Sequence, residues 1–282
     1  MKDPSVISPA RGARPAVSVE EAPGASPLGF VRHAAAVAMA DLRKLRRDPT
    51  EMFTRAVQPL LWFLVFGQVF TRTRVIPTGD LSYLEFMAPG ILAQSVLFAA
   101  IFYGIAVIWE RDLGIVHKML VSPASRASLV VGKALAAGAR GLVQGAMVAA
   151  IALLAGVPLR AGLLPVAGLT AAVLLGSALF ATFSLVIACI VKTRERFMGI
   201  GQVLTMPMFF ASNAIYPLDM MPSWLRAVAR VNPLTYLVDA LRTLMLAGAP
   251  PVMGLALDFA VLASVTSALV LLAARLYPGL AR

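Results

Sequence analysis

The sequence predicts an all-α membrane protein with six transmembrane helices and both termini cytoplasmic. Three observations predict it. The 282 residues are 59% hydrophobic and 14% charged, with a mean hydropathy of +0.82, where a soluble domain carries about 45–50% apolar and about 25% charged residues. Six apolar runs approach the ~20 helical residues needed to cross a ~30 Å hydrocarbon core. Lysines and arginines collect on one side of those runs.

Residues 1–28, rich in Pro, Ala, Gly and Ser and without the apolar stretch of a secretory signal, are expected to be a disordered cytoplasmic tail. Spans are predicted at about 55–70, 87–108, 135–155, 163–190, 198–215 and 252–274. In lipid each such segment must satisfy its own backbone, so all are helices. The first and fifth are short, and the first contains Pro59 and Gln68, so tilting or shielding by neighbours is expected there. The fourth is long enough to tilt. On span three, Lys133, Arg140 and Gln144 fall within one arc at 100° per residue. A charge at the bilayer centre costs ~2.5–3.5 kcal/mol, so that arc faces a cavity, a partner helix or headgroups. Gly141 and Gly145 allow close helix approach on the same span. Asp258 falls near the outer end of span six, where water would reach it.

Orientation follows from basic residues, which are retained in the cytoplasm. Fourteen lie on the N-terminal side: six from Arg32 to Arg55, three from Arg111 to Arg126, three from Lys192 to Arg196, and Arg275 and Arg282. The opposite side has six: Arg72, Arg74, Arg160, Arg226, Arg230 and Arg242. The net charge of +11 is therefore read as topology beside anionic lipid, with no nucleic-acid partner. The single cysteine, Cys189, lies in an apolar run and is read as a packing residue.

Catalytic constellations are missing from the sequence. His33 and His117 have no Cys, His or carboxylate at metal-ligand spacing, so no metal site is expected. Gly132-Lys133-Ala134 lacks the preceding glycine and following hydroxyl of a phosphate loop, so the chain is expected to bind no cofactor and to hydrolyse no ATP.

Two loops carry information. Between spans two and three, Trp109 to Asp112 extend a helix into water, and Leu113, Val116 and Leu120 form an apolar stripe. Its cover is the bilayer surface, the bundle, or a partner's groove. Before span six, Pro222-Ser223 opens one short helix, with Trp224, Leu225 and Val228 opposite Arg226 and Arg230. Asn232 then caps a second with Pro233 at its first position, placing Leu234, Val238, Leu241 and Met245 on one face and Asp239 and Arg242 elsewhere. Short amphipathic outer helices are the expected result, either sealing the bundle or meeting substrate.

These loops resemble those of ABC-2 type permeases. Glu110-Arg111-Asp112-Leu113-Gly114 and Met119-Leu120-Val121-Ser122-Pro123 resemble the motif between the family's second and third spans. Tyr216-Pro217-Leu218-Asp219, Pro222-Ser223-Trp224 and Asn232-Pro233-Leu234-Thr235-Tyr236, continuing to Asp239 and Arg242, are similar to its outer signature, the daunorubicin-resistance branch especially. The resemblance implies an ABC-2 transmembrane domain over 29–282, in a bacterial plasma membrane. It implies pairing with a second permease copy and docking of a cytoplasmic ABC ATPase that holds ATP and Mg. Glu110, Arg111, Gly114, Met119, Leu120 and Pro123 then become candidate ATPase-coupling residues. It further implies an interfacial helix on membrane lipid before span one, which Leu42 to Pro49 suits, and re-entrant outer helices. The implied function is export of a drug-like amphiphile or lipid, with polysaccharide or lipid-linked glycan as the alternative. An intramembrane enzyme would need converging acid and base groups, and Asp258, Lys133 and Arg140 are too scattered.

Overall fold

The computed structural model describes residues 26–47, 57–73, 76–122, 124–191 and 193–281. The expected tail lies almost wholly outside the described residues, and Pro123 lies outside them too. Helix α1 spans Pro27–Arg47 and α2 spans Val57–Thr71, interrupted by a π turn at Trp62–Gly67. Then come α3 Tyr83–Asp112, α4 Ile115–Val121, α5 Arg126–Leu154 and α6 Leu163–Ile190. The chain continues through α7 Arg194–Phe210, α8 Ser223–Val231, α9 Pro233–Met245 and α10 Leu255–Leu276. The described residues form no sheet; one isolated bridge joins Leu159 and Leu246.

Four helices, α3, α5, α6 and α10, are long and apolar enough to cross a membrane, and the chain is an all-α, multi-pass membrane protein. They coincide with predicted spans two, three, four and six. Helices α2 and α7 stand at predicted spans one and five but are shorter, α7 having 17 residues, or about 25 Å at 1.5 Å per residue. Residues 211–215, expected to continue span five, instead turn away, because the Asn232 side-chain amide takes the α7 carbonyls of Met208 at 2.6 Å and Ala211 at 2.9 Å.

Local chemistry sets the ends. Ser82 and Glu85 form a capping box at α3, with Glu85 accepting from the Ser82 amide at 2.7 Å. Ser125 caps α5 and Thr193 caps α7 through amides three residues on. Gly114, at φ 71°, makes the left-handed elbow between α3 and α4.

Helix α6 is the hub, packing on α3, α5, α9 and α10. Small residues permit this: Gly141 of α5 lies against Ser177, and Gly145 against Val173, as the spacing predicted. Helix α1 lies along α5. Helix α9 differs from expectation. It is not amphipathic at an interface: Leu234, Val238 and Leu241 are buried, but so are Asp239 and Arg242 on its other face. It is an internal element between α3, α6 and α10.

Gly90 of α3 abuts the backbone of Ala214, whose carbonyl oxygen would sit 2.2 Å from an added Cβ. Backbone cannot rotate aside, so Gly90→Ala is expected to cost about 1–3 kcal/mol. Gly199, with nothing within 4 Å, should gain about 0.5–1 kcal/mol as alanine. Thermal unfolding in detergent measures both, and equal midpoints would contradict this packing.

Candidate functional site

Where α3 leaves the bundle, its last inward side chain is a carboxylate. Glu110 is 6% exposed and bridges two cations: Lys133 of α5 at 2.6 Å and Lys44 of α1 at 2.7 Å. Lys44 also meets Asp41 at 3.0 Å, and Asp41 accepts from the Tyr103 hydroxyl. Lys133 and Arg140 lie 5.7 Å and 5.3 Å from the centre of the Tyr103 ring. Three helices are thus joined by one charge cluster, buried at Glu110, Lys133 and Asp41 and open to solvent at Lys44.

Burial opposes ionisation of Asp41, but Lys133, Tyr103 and Lys44 outweigh it and hold its carboxyl below the usual range. Burial likewise opposes the charge on Lys44, while hydrogen bonds to Glu110 and Asp41 raise it overall. Asp112, just beyond, is solvent-facing and held low by Arg111 and then Arg194.

Glu110 was expected on a docking surface; in this conformation its carboxylate faces inward. The exposed surface at this end is made by its neighbours. Arg111 donates to Asp112 at 3.1 Å, and Arg194 reaches Asp112 at 2.7 Å while stacking 3.6 Å from the Trp109 ring. Leu113 and Val121 are exposed, whereas Val116 is fully buried and Met119 and Leu120 pack on the core. The bundle therefore covers Val116 and Leu120 of the predicted stripe and leaves its Leu113 end bare. Gly114 forms the bend between Leu113 and α4.

Of the span-three arc, Lys133 is spent in the cluster and Gln144 enters a cavity of about 360 Å³. Gln58 of α2, with Gln94 and Ser95 of α3, lines the same cavity beside Phe98 and Phe102. Gln94 and Gln144 are each 3% exposed. Amides at this depth are costly unless they meet water, one another or a ligand. Gln94, Asp41 and Tyr103 were not read from the sequence; a lone glutamine in an apolar span was the available signal for the first.

The opposite end carries the outer signature. Asn232 caps α9 by accepting from Leu234 at 3.0 Å while its amide holds the end of α7. Arg242 donates to Asn213 O at 2.7 Å and lies 4.0 Å over the Phe86 ring. Asp239 accepts from the amides of Val252 and Met253 at 3.0 Å and 2.7 Å. Tyr216 donates to Phe210 O, and Tyr236 to Arg230 O at 2.6 Å. Pro217 opens the turn of Leu218 and Asp219, Pro222 precedes α8, and Trp224 stays exposed. Pro233 occupies the first position of α9. Asp258 is not wetted as expected: it is fully buried, and neither of its carboxyl oxygens has a hydrogen-bond partner among the described residues. Among the described residues no three His, Cys, Asp or Glu converge as a metal site.

A family model for the ABC-2 type transporter matches residues 33–246, three-quarters of the sequence, covering cluster, elbow and outer signature. The chain belongs to the ABC-2 type transporter family. Relatives agree. A ycf38 protein of Cyanophora paradoxa, named as a transport permease, is 31% identical over 71% of this chain and 70% of its own length. The daunorubicin resistance ABC transporter permease protein DrrB1 of Streptomyces coeruleorubidus is 24% identical over 70% and 69%. The inner membrane transport permease YadH of Escherichia coli is 25% identical over 64% and 70%. This chain is accordingly the membrane component of an ABC transporter and not itself the ATPase.

Removing one partner of a buried ion pair leaves the other uncompensated, at about 3–5 kcal/mol. Lys133→Met or Glu110→Gln should each destabilise strongly, and the double variant by clearly less than their sum. A double-mutant cycle on unfolding in detergent checks this, and strict additivity would refute the pairing.

The contribution of Asp41 is complete above its ordinary pKa of about 3.9 and is lost only as pH falls through its lower folded value. That of Lys44 is complete below about 10.4 and is lost as pH rises through its higher folded value. Hydrogen-exchange protection of α1 amides, corrected for intrinsic rate, is expected to stay flat from about pH 5 to 9. A fall within that window would contradict the cluster.

Proposed function

We propose that this chain is the permease subunit of an ATP-driven exporter that moves an amphipathic substrate, a drug-like molecule or lipid, out across a bacterial plasma membrane. The bundle has six spans, α2 and α7 completing the four long ones, with both termini cytoplasmic. Two permease copies enclose the path, and a separate cytoplasmic ATPase, carrying ATP and Mg, docks at the α3–α4 elbow. An amphiphile as the cargo rests on one observation: the cavity of Gln58, Gln94, Ser95 and Gln144 beside Phe98 and Phe102 offers amides and aromatic rings together within apolar helices; export as the direction rests on the likeness to drug-resistance permeases. A glycan would require far more hydrogen-bonding groups than these four side chains supply. The daunorubicin resistance relative supports the same substrate class.

Nucleotide can drive this bundle only if the ATPase binds its two conformations with different affinity, and the elbow is where that difference enters. Gly114 has a left-handed backbone, which a β-branched residue adopts only with strain. Reconstitution with the cognate ATPase tests both halves. Amphiphiles should stimulate ATP turnover in the parent, Gln144→Leu should lose the stimulation and keep basal turnover, and Gly114→Val should uncouple turnover from export while remaining inserted. Undiminished stimulation of Gln144→Leu would remove the cavity from the path, and undiminished export by Gly114→Val would remove the elbow.

A further inference from the structure

A second, larger recess opens on the bundle's flank toward the α8 end. It measures about 730 Å³ and is bounded by Phe180 and Phe183 of α6, Met208 of α7, and Val265 and Leu269 of α10, with α8 across its mouth. Its volume falls within the ~300–1,000 Å³ of small-molecule sites. Ligand sites of that kind orient their occupants with a few convergent polar groups, and here none is free to do so. The one amide among its walls, Asn232, is already committed to Met208 O and Ala211 O. An occupant is therefore held by apolar contact alone inside the recess.

Charge stands at the rim instead. On α8, Trp224, Ala227, Val228 and Val231 share one face at 100° per residue, and Arg226 and Arg230 lie opposite. Ala227, Val228 and Val231 line the recess, and Trp224 on the same face is 67% exposed. Such a helix lies flat at the headgroup level, apolar side toward the acyl chains. Arg226 is used within the fold, donating to the carbonyls of Leu218, Asp219 and Met221. Arg230 is exposed and has no acidic partner among the described residues. Its stem is long enough to carry the guanidinium to a phosphate beside the helix.

We propose that the recess between α6, α7, α8 and α10 holds an acyl chain of an anionic phospholipid whose phosphate rests against Arg230. Membrane insertion suffices for this site, which is separate from the glutamine-lined cavity and does not require the transport reading. The lipid ties α8 to the flank of the bundle.

Native mass spectrometry of the full chain, extracted from vesicles of equal phosphatidylglycerol and phosphatidylcholine, tests it. One retained lipid per chain is expected, phosphatidylglycerol exceeding phosphatidylcholine about fivefold, the ratio for one basic residue at an anionic surface. Arg230→Gln should retain a lipid without preference, and Val228→Trp should retain none. Val203→Trp, on an exposed part of α7 outside the recess, should behave as the parent. Equal retention of both lipids by the parent, or an unchanged lipid in Val228→Trp, would overturn the proposal. So would one-for-one displacement by a compound that stimulates ATP turnover, which would make the recess a substrate site.

Discussion

The buried carboxylate of Glu110 is the constraint on which the rest of this bundle depends. An ion taken from water into a low-dielectric interior loses several kcal/mol of solvation, and only close, well-oriented partners offset it. Glu110 has two, Lys133 at 2.6 Å and Lys44 at 2.7 Å, so α3 can end here only if α5 and α1 are both in place. This explains why α1, an amphipathic helix, packs along α5. It also explains why Lys133 is tolerated seven residues into a spanning helix.

The same rule organises the other end. Arg242 and Asp239 are placed in the interior by a helix buried on all sides, and each meets a backbone group: the Asn213 carbonyl for the cation, the Val252 and Met253 amides for the anion. Asn232 serves three backbone groups at once, beginning α9 and ending α7. In lipid no water completes unfinished hydrogen bonds, so irregular segments are confined to places where such side chains reach them. Residues 211–214 turn through the interior after α7 because Asn232 and Arg242 supply donors to the carbonyls of Ala211 and Asn213.

What the sequence disclosed and what it concealed divide along the range of the interactions. The four long spans, the Asn232 cap and the Gly141–Gly145 contact face are written in runs or spacings of a few residues, and all were legible. The inward turn of Glu110 was not, since its partners lie 23 and 66 residues away. Periodicity marked Asp239 and Arg242 as a polar face, which in water would mean exposure. A buried helix reverses that inference by bringing polar partners to both residues. The early end of α7 likewise answers to Asn232, not to its own residues. Within the glutamine cavity, Gln144 could be placed on an arc, but the helices opposite it could not be named.

One geometric consequence joins the two ends of the candidate site. Glu110 and Gln94 belong to α3, sixteen residues or about 24 Å apart, and Lys133 and Gln144 belong to α5, eleven residues or about 16 Å apart. The ion pair and the cavity amides are thus two crossings of the same pair of helices. A long helix moves as a rigid body on the time scale of domain motions, and close-packed contacts such as Gly104 on Ser184 and Gly141 on Ser177 resist sliding without resisting a concerted tilt. Force applied at the elbow while Glu110 stays bonded to Lys133 must move α3 and α5 together, carrying Gln94 and Gln144 as a unit.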